Sequence, residues 1–453
     1  MTAAPAFDVA IIGGGASGAL LAIQLLRGGP PSSRLLLVDR AGDFARGIAY
    51  RSEEACHVLN VPAERMSALA DDEENFLAWL RRHDPSAGPG TFAPRRRYGD
   101  YLSELLLETE RRSAGALLER RTAEVRDLED TSQGVRLHLA PGGLVHARRA
   151  VLALGNFPPH PLHVAPPGDA RVWQSPWPRE APWPPADARV LLVGAGLTAI
   201  DVLLSLAARG HRGPWHVLSR HGVLPNEHAP VPMAPLELDL PRGRIRPLFH
   251  ALRAASARPG TDWRPAVDSV RKQARGLWRS FAPTEWERFN RHARTYWEVH
   301  RHRVAPAVGQ QVHGFLKAGQ LQLHAGRLLN LVASRSGLEA RFRPRGAHRE
   351  ERLVVDLAVN CTGPAGHGAN PDALVSALLR RGLARPGPLG LGLATDSRGG
   401  LLDGQGRAGG GLWTLGPVRR GEDWESTAIP DIRIQAAELA GLLVAGNRAG
   451  GAG

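Results

Sequence analysis

The sequence is poor in cysteine, and this scarcity argues against one class of redox chemistry. Its 453 residues contain two cysteines, Cys56 and Cys361, which lie far apart and form no C-x-x-C pair. Enzymes that pass electrons to a disulfide substrate through a thiol pair need two neighbouring thiols, so this activity is disfavoured. Cys361 stands in a strand-like apolar run and is expected to be a small core residue.

Lysine is nearly absent as well, so the positive charge is carried by arginine. The net charge is +13, yet Lys272 and Lys317 are the only two lysines, and arginines are spread over the whole length. A nucleic-acid-binding face concentrates basic residues in a stripe with interleaved aromatic residues. We therefore predict no nucleic-acid partner and attribute the charge to solvated helix faces.

Long apolar runs are also missing. No stretch of about 18 residues is apolar throughout, and no basic segment precedes the first apolar run. The hydrophobic fraction of 43% and the charged fraction of 22% are ordinary for globular proteins. These features predict a cytoplasmic protein of two or three domains with no membrane partner.

Residues 7–39 have the pattern of a dinucleotide-binding unit. An apolar run leads into Gly13, Gly15 and Gly18 in G-x-G-x-x-G spacing, an apolar helix follows, and a second strand ends at Asp39. The glycines permit a tight turn, a close approach of the backbone to a pyrophosphate and close packing of the helix on the strand. The terminal acid suits the hydroxyls of an adenosine ribose.

The same pattern returns at residues 190–220, where Gly194 and Gly196 begin a G-x-G-x-x-A sequence between two strands and a helix. After each glycine pattern, apolar and polar residues alternate along the chain. This alternation is typical of an antiparallel meander, which begins near residue 120 in the first half of the chain. A buried strand then ends at Gly155 in the first half and at Gly363 in the second. Such a duplication predicts two nucleotide-binding units.

Together these patterns predict an α/β fold with two Rossmann-like dinucleotide-binding domains. The first domain is expected to be discontinuous, with parts at residues 1–165 and 350–453. The second is expected to be inserted at residues 186–345 and to contain a mostly helical insert at 241–319. A connector rich in proline and tryptophan precedes it.

Several motifs support a family resemblance. The segments GIAY, HVLNVPAERMS, PRRRYGDYL, SRHGVLP, DWRPAVD, YWEVHRHR, NCTGP and WESTAIPDIR resemble bacterial FAD/NAD(P)-binding flavoproteins with two dinucleotide-binding domains. The pattern N-x-P-x-E-x-M at Asn60, Pro62, Glu64 and Met66 is more distantly similar to flavin-containing and N-hydroxylating (class B) monooxygenases. This resemblance implies that Asn60 lies against the flavin and the nicotinamide ribose. The full Baeyer-Villiger signature is not found.

The ends of the second strands predict which cofactor each unit holds. Asp39 suits a free ribose diol, as in FAD, and would repel a 2′-phosphate. The second strand of the second unit ends instead in Ser219 and Arg220, which can bind a phosphate. We therefore predict NADPH in this unit. The alternative is that Arg220 is one more surface arginine.

The start of the final helix is expected to direct its positive dipole end at the flavin pyrimidine. Arg95 and Tyr98 lie where relatives bring an arginine and a helix toward the cofactor, although a structural helix start is an equal alternative. The predicted cofactor-binding residues are Gly13, Gly15, Ser17, Gly18, Asp39, Arg40, Asn60, Met66, Arg95, Tyr98, Gly155, Gly194, Gly196, Thr198, Ser219, Arg220, Gly363, Thr427, Ala428 and Ile429.

The insert contains histidines and arginines that invite two hypotheses. His300 and His302 are two residues apart, point to different sides of a helix and have no carboxylate or cysteine cluster, so no metal is predicted. Arg294, Arg301 and Arg303 form either a cationic pocket or, as the favoured alternative, a solvated or inter-domain face.

The resemblance implies an FAD-dependent, NADPH-consuming monooxygenase that uses a C4a-hydroperoxyflavin to N-hydroxylate an amine or amino-acid-like molecule. Asn60 is the predicted catalytic residue, and the partners are this small molecule and molecular oxygen. A flavin reductase or dehydrogenase without oxygenation, and a non-catalytic flavoprotein, are the alternatives. A homo-oligomer is left open.

Overall fold

The computed structural model describes residues 6–177, 182–257, 260, 262–366 and 372–449, the last four by backbone alone. The strands are β1 (Phe7–Ile12), β2 (Arg34–Asp39), β3 (Leu117–Thr122), β4 (Glu124–Thr131), β5 (Gly134–Ala140), β6 (Leu144–Leu152), β7 (Val172–Trp173), β8 (Val190–Val193), β9 (Trp215–Ser219), β10 (Leu321–Ser334), β11 (Gly337–Pro344), β12 (Glu351–Val355), β13 (Leu357–Asn360), β14 (Gly400–Leu402) and β15 (Ala408–Thr414).

Helices connect and cover these strands. They are α1 (Ala16–Gly28), α2 (Gly47–Tyr50), α3 (Asn75–His83), α4 (Arg95–Arg112), α5 (Leu197–Ala208), α6 (Ile245–Ser256), α7 (Arg264–Asp268), α8 (Ala274–Ser280), α9 (Pro283–Arg288), α10 (Arg294–Arg301), α11 (Pro306–Lys317), α12 (Ala373–Arg380) and α13 (Ile429–Ala449). Among the described residues, no helix combines the length and apolar character needed to cross a membrane.

The first sheet has the order β14-β15-β6-β1-β2-β3, and β1 pairs in parallel with both β2 and β6. Its central strands are apolar and buried on both faces, as expected where helices and other elements cover a parallel sheet. Val9 and Ile11 pack in one core cluster with α1, α4 and α13, while Ala10 and Ile12 pack in another with the β4–β5 hairpin and α12.

The second sheet has the order β12-β11-β10-β9-β8-β13-β7. Its strand β8 pairs in parallel with β9 and β13, as β1 does with β2 and β6. Helices α6 to α11 lie between β9 and β10 in the chain, where the helical insert was predicted. The predicted arrangement of two Rossmann-like units, the second inserted into the first, is confirmed.

Two predicted boundaries differ from the structure. β3 pairs in parallel with β2, so the antiparallel meander begins at Glu124 rather than near residue 120. The strands β12 and β13 hydrogen-bond within the second sheet, so this sheet extends to Asn360, beyond the predicted start of the returning segment at residue 350. Strand patterns alone do not show to which sheet a strand belongs.

Candidate functional site

The first glycine turn is closed by backbone contacts that exclude side chains. Gly13 has φ +106°, and a Cβ there would overlap the carbonyl oxygen of Ala153, just after β6. A Cβ at Gly18 would overlap the carbonyl oxygen of Gly13. The turn therefore brings β1, β6 and the start of α1 together as the fingerprint requires.

A cleft opens at this turn, outside the carboxyl ends of β1 and β2. Its lining includes eight of the predicted cofactor-binding residues, which are Gly13, Gly15, Ser17, Asp39, Arg40, Gly155, Thr427 and Ile429. The α2 segment also lines the cleft, and a Cβ at Gly15 would lie 3.3 Å from the Cα of Gly47. The backbone of the glycine turn can therefore lie close to a ligand. This arrangement suits a pyrophosphate bound at the N-terminus of α1.

Asp39 is held in place by three backbone amides. Its Oδ2 accepts a hydrogen bond from the N–H of Gly14 at 3.0 Å, and its Oδ1 accepts from Ala41 at 2.8 Å and Gly42 at 3.1 Å. The carboxylate is thus oriented at the rim of the cleft, at the end of β2. This is the position that a ribose-binding acid occupies in the fingerprint.

The final helix reaches the other part of the cleft. Thr427 and Ile429 line it, and the carbonyl of Ala428 accepts hydrogen bonds from the N–H groups of Asp431 and Ile432 at 3.0 and 2.9 Å. Pro430 has no N–H group, and among the described residues the N–H of Ile429 has no backbone acceptor. The positive end of the helix therefore lies at the cleft.

The glycine turn of the second unit makes the same backbone contacts as that of the first. Gly194 has φ +114°, and a Cβ there would overlap the carbonyl oxygen of Cys361, the counterpart of Ala153. The N–H of Gly194 donates to Leu218 at 2.8 Å, just as the N–H of Gly13 donates to Val38. The predicted residues Gly196 and Thr198 stand at the start of α5 and are solvent-accessible, as is Gly363 beyond β13.

A basic cluster lies at the end of β9. The Ser219 Oγ accepts a hydrogen bond from Gly222 at 3.1 Å, and Arg220 is exposed. Burial and the nearby Arg345 and Arg220 lower the pKa of His221. Arg345, which follows β11, was missed from the sequence because only the fold brings it near His221.

Several predicted residues lie elsewhere. Met66 and Tyr98 are buried in the hydrophobic core with α1 and do not line the cleft. Gly18 packs inside the turn itself. The backbone carbonyl of Asn60 contacts Nε2 of His228 at 3.0 Å, and burial, as the largest cause, lowers the pKa of His228 to about 4.

Arg95 joins the two units instead of lining the first cleft. Its guanidinium forms a bidentate pair with Asp201 of α5, with N–O distances of 2.8 and 3.1 Å. The buried His57 contacts Ser205 Oγ of α5 through Nε2 at 2.9 Å, and burial lowers its pKa. The prediction that Arg95 reaches the cofactor stays a prediction, and the structure adds that its side chain pairs with a carboxylate 106 residues away.

Two arginines of the insert form buried ion pairs, and one of these pairs joins the insert to the returning part of the first domain, as the inter-domain alternative expects. Arg301 pairs with Glu425 at 3.0 Å, and Arg303 pairs with Asp268 at 2.9 Å, both arginines being buried. Arg294 is partly exposed. Within the described part of the chain, no group of histidine, cysteine and acidic residues could hold a metal ion.

Comparisons with known proteins agree with this geometry. A family model described as FAD-NAD(P)-binding matches residues 10–157. No curated protein matches the sequence at a significant level. Among solved structures, the ornithine N-hydroxylase of Kutzneria sp. 744, in a form with reduced FAD, NADP⁺ and L-ornithine, is 16% identical with a TM-score of 0.68, covering 98% of this chain and 100% of its own.

Two further structures show how widely the fold is shared. The cadaverine monooxygenase of Erwinia amylovora, bound to FAD, is 12% identical with a TM-score of 0.66, covering 97% of this chain and 94% of its own. The thioredoxin reductase of Lactococcus lactis is 12% identical with a TM-score of 0.54, covering 97% and 99%. The chain therefore has the fold of the FAD- and NAD(P)-binding flavoproteins with two dinucleotide-binding domains.

Proposed function

We propose that the protein is an FAD-dependent, NADPH-consuming monooxygenase that N-hydroxylates an amine. The observation that carries the proposal is the pair of equivalent glycine turns, one beside an acid-ended strand and the other beside a basic cluster. The acidic end of β2 suits the ribose of FAD, and the basic cluster at the end of β9 suits the 2′-phosphate of NADPH. The hydroxylases of ornithine and cadaverine share the fold over nearly its whole length, and this supports the amine as substrate.

The residues at the first cleft fit FAD. The glycine turn leaves room for a pyrophosphate, and a Cβ at Gly15 would reduce that room. Asp39 lies at the position of the ribose-binding acid. The N-terminus of α13 would direct its positive dipole end to the place where negative charge develops on the reduced pyrimidine ring. When bound, FAD accepts a hydride from NADPH and activates oxygen.

The chain itself supplies binding and orientation. The insert docks on the segment before α13, since the Trp278 indole donates to the carbonyl of Gly421 at 2.8 Å and Arg301 pairs with Glu425. The insert thereby fixes the position of the segment that leads into α13 beside the cleft. Asn60, on the segment beside His228, remains the proposed group near the reacting atoms.

A disulfide reductase activity is not supported, although one structural neighbour is a thioredoxin reductase. Cys56 and Cys361 are both free, and burial raises the pKa of the Cys361 thiol well above its usual range. A thiol that stays protonated is a poor nucleophile for disulfide exchange.

The proposal is tested by loading the protein with FAD and following its reduction by NADPH without oxygen. Oxygen and an amine panel containing ornithine, lysine and cadaverine are then added. Rapid reduction, NADPH consumption that depends on the amine and a product heavier by one oxygen atom in mass spectrometry are expected. Stoichiometric peroxide release with every amine would instead indicate a reductase, and a flavin that NADPH does not reduce would refute the proposal.

A further inference from the structure

Buried polar atoms without a hydrogen-bond partner are concentrated in one segment. Among the described residues there are fifteen such atoms, and nine of them belong to residues 419–433. Six of these nine atoms belong to side chains that form ion pairs, which are those of Arg419, Arg420, Asp423, Glu425 and Arg433. The other three are Nε1 of Trp424, Oγ of Ser426 and Oδ2 of Asp431. Because buried polar atoms are normally satisfied by protein or water, these three side chains are candidates for contacts with a ligand or with ordered water.

The segment lies between the first cleft and the helical insert. Thr427 and Ile429 line the cleft, while Trp297 of the insert donates to Oε1 of Glu425 at 3.2 Å. Trp424 packs against Trp278 of the insert at 4.9 Å between ring centroids. A molecule bound here would therefore lie beside the end of the cleft where α13 begins.

Most charged groups of this segment already have an opposite charge. Asp423 contacts Arg279 at 2.9 Å and Arg419 at 3.1 Å, and Glu425 contacts Arg301 at 3.0 Å. These carboxylates form structural ion pairs between the segment and the insert. They are not free to receive a ligand.

Asp431 differs from these carboxylates. In the described part of the chain its side chain makes no ion pair or hydrogen bond, and its Oδ2 is buried. The charged groups that face it are Glu425, Arg301, Arg271 and Arg275. Burial and then Glu425 raise its pKa to about 6, although the three arginines act in the opposite direction.

We propose that Asp431 binds the cationic nitrogen of the substrate and accepts a proton from it. The inference rests on the proposed function, since N-hydroxylation requires a free nitrogen lone pair. One proton moves from the ammonium group to the carboxylate, leaving a neutral amine and a neutral carboxylic acid, and no electrons are transferred. The hydroxyl of Ser426, five residues earlier in the chain and before the start of α13, is likewise buried without a hydrogen-bond partner among the described residues.

The test measures binding of cadaverine, n-hexylamine and benzylamine to the FAD-loaded protein by isothermal titration calorimetry. At least one amine is expected to bind, with an affinity that rises about tenfold between about pH 5 and pH 7.5 as a carboxyl of pKa about 6 ionises. Asp431→Asn should weaken binding at pH 7.5 about tenfold or more and remove the pH dependence, whereas Asp431→Glu should keep it.

The matched control is Glu438→Gln, which alters an exposed carboxylate of the same helix that pairs with Arg275 at 3.1 Å. It should leave amine binding unchanged. Failure of all three amines to bind, binding of the dianion glutarate in their place, or an unaltered affinity in Asp431→Asn with normal FAD content would overturn the inference. If Asp431→Asn abolishes binding but no hydroxylated product forms in the native protein, the binding site stands and the proposed function fails.

Discussion

At the scale of single residues, the shape of the first cleft depends on glycines, which have no Cβ atom. Gly13 adopts a positive φ of 106°, and the α1 helix meets it at Gly18 with no room for a Cβ. The helix contains a second glycine, Gly28, at its other end, where a Cβ would meet no atom within 4 Å. Alanine substitutions at Gly18 and Gly28 therefore distinguish two effects. The first tests the close approach of α1 to the turn, and the second tests the general effect of glycine on helix stability.

We expect Gly18→Ala to reduce FAD content and to destabilise the protein by about 1–3 kcal/mol, since its Cβ would force α1 away from the turn. Gly28→Ala should retain full FAD content and be neutral or slightly stabilising. Flavin absorbance per mole of protein and urea unfolding measure the two effects. Equal FAD content in both variants would show that close packing at Gly18 is not needed.

At the scale of elements, the proposed preference for NADPH over NADH rests on the residues at the end of β9. Arg220 is exposed there, with His221 and Arg345 beside it. We expect Arg220→Ala to raise KM for NADPH about tenfold or more and KM for NADH only slightly, because the lost bond joins the guanidinium to the 2′-phosphate.

The control for this prediction is Arg352→Ala, in the outer strand β12 of the same sheet, where the side chain is 66% exposed. It should change neither KM. Steady-state rates of flavin-dependent NADPH and NADH oxidation provide the measurement. If Arg220→Ala affects both cofactors equally, Arg220 is a surface arginine, and the assignment of NADPH loses its support.

Local elements could be predicted from the sequence because their causes are local. The glycine turns, the strand that ends at Asp39 and the start of α13 all depend on residues within one short segment. The surroundings of Arg95 and Asp431 could not be predicted, since Asp201 and the insert reach them only through tertiary packing. Sheet membership of β13 likewise depends on which strands it meets after folding.

At the scale of the whole molecule, polar contacts hold the two nucleotide-binding units in one orientation. The Arg95 and Asp201 side chains are 21% and 10% exposed. Nearby, Glu54 of the first unit pairs with Arg209 of the second, and His57 contacts Ser205. In the proposed function a hydride passes from the cofactor of the second unit to that of the first, so the orientation that these contacts fix would govern the distance it crosses.

We expect Asp201→Asn to destabilise the protein by about 3 kcal/mol, because it leaves the Arg95 charge half-buried without its partner. Reduction of bound FAD at saturating NADPH should slow, while FAD content stays unchanged, since Arg95 does not line the first cleft. Asp71→Asn is the control, because it removes a comparable bidentate pair with Arg27 that lies within the first unit and is exposed, and should cost less than about 1 kcal/mol. Urea unfolding and stopped-flow reduction measure both effects. If the two variants reduce FAD at the same rate, the pair between Arg95 and Asp201 contributes to stability alone, and other contacts set the orientation of the units.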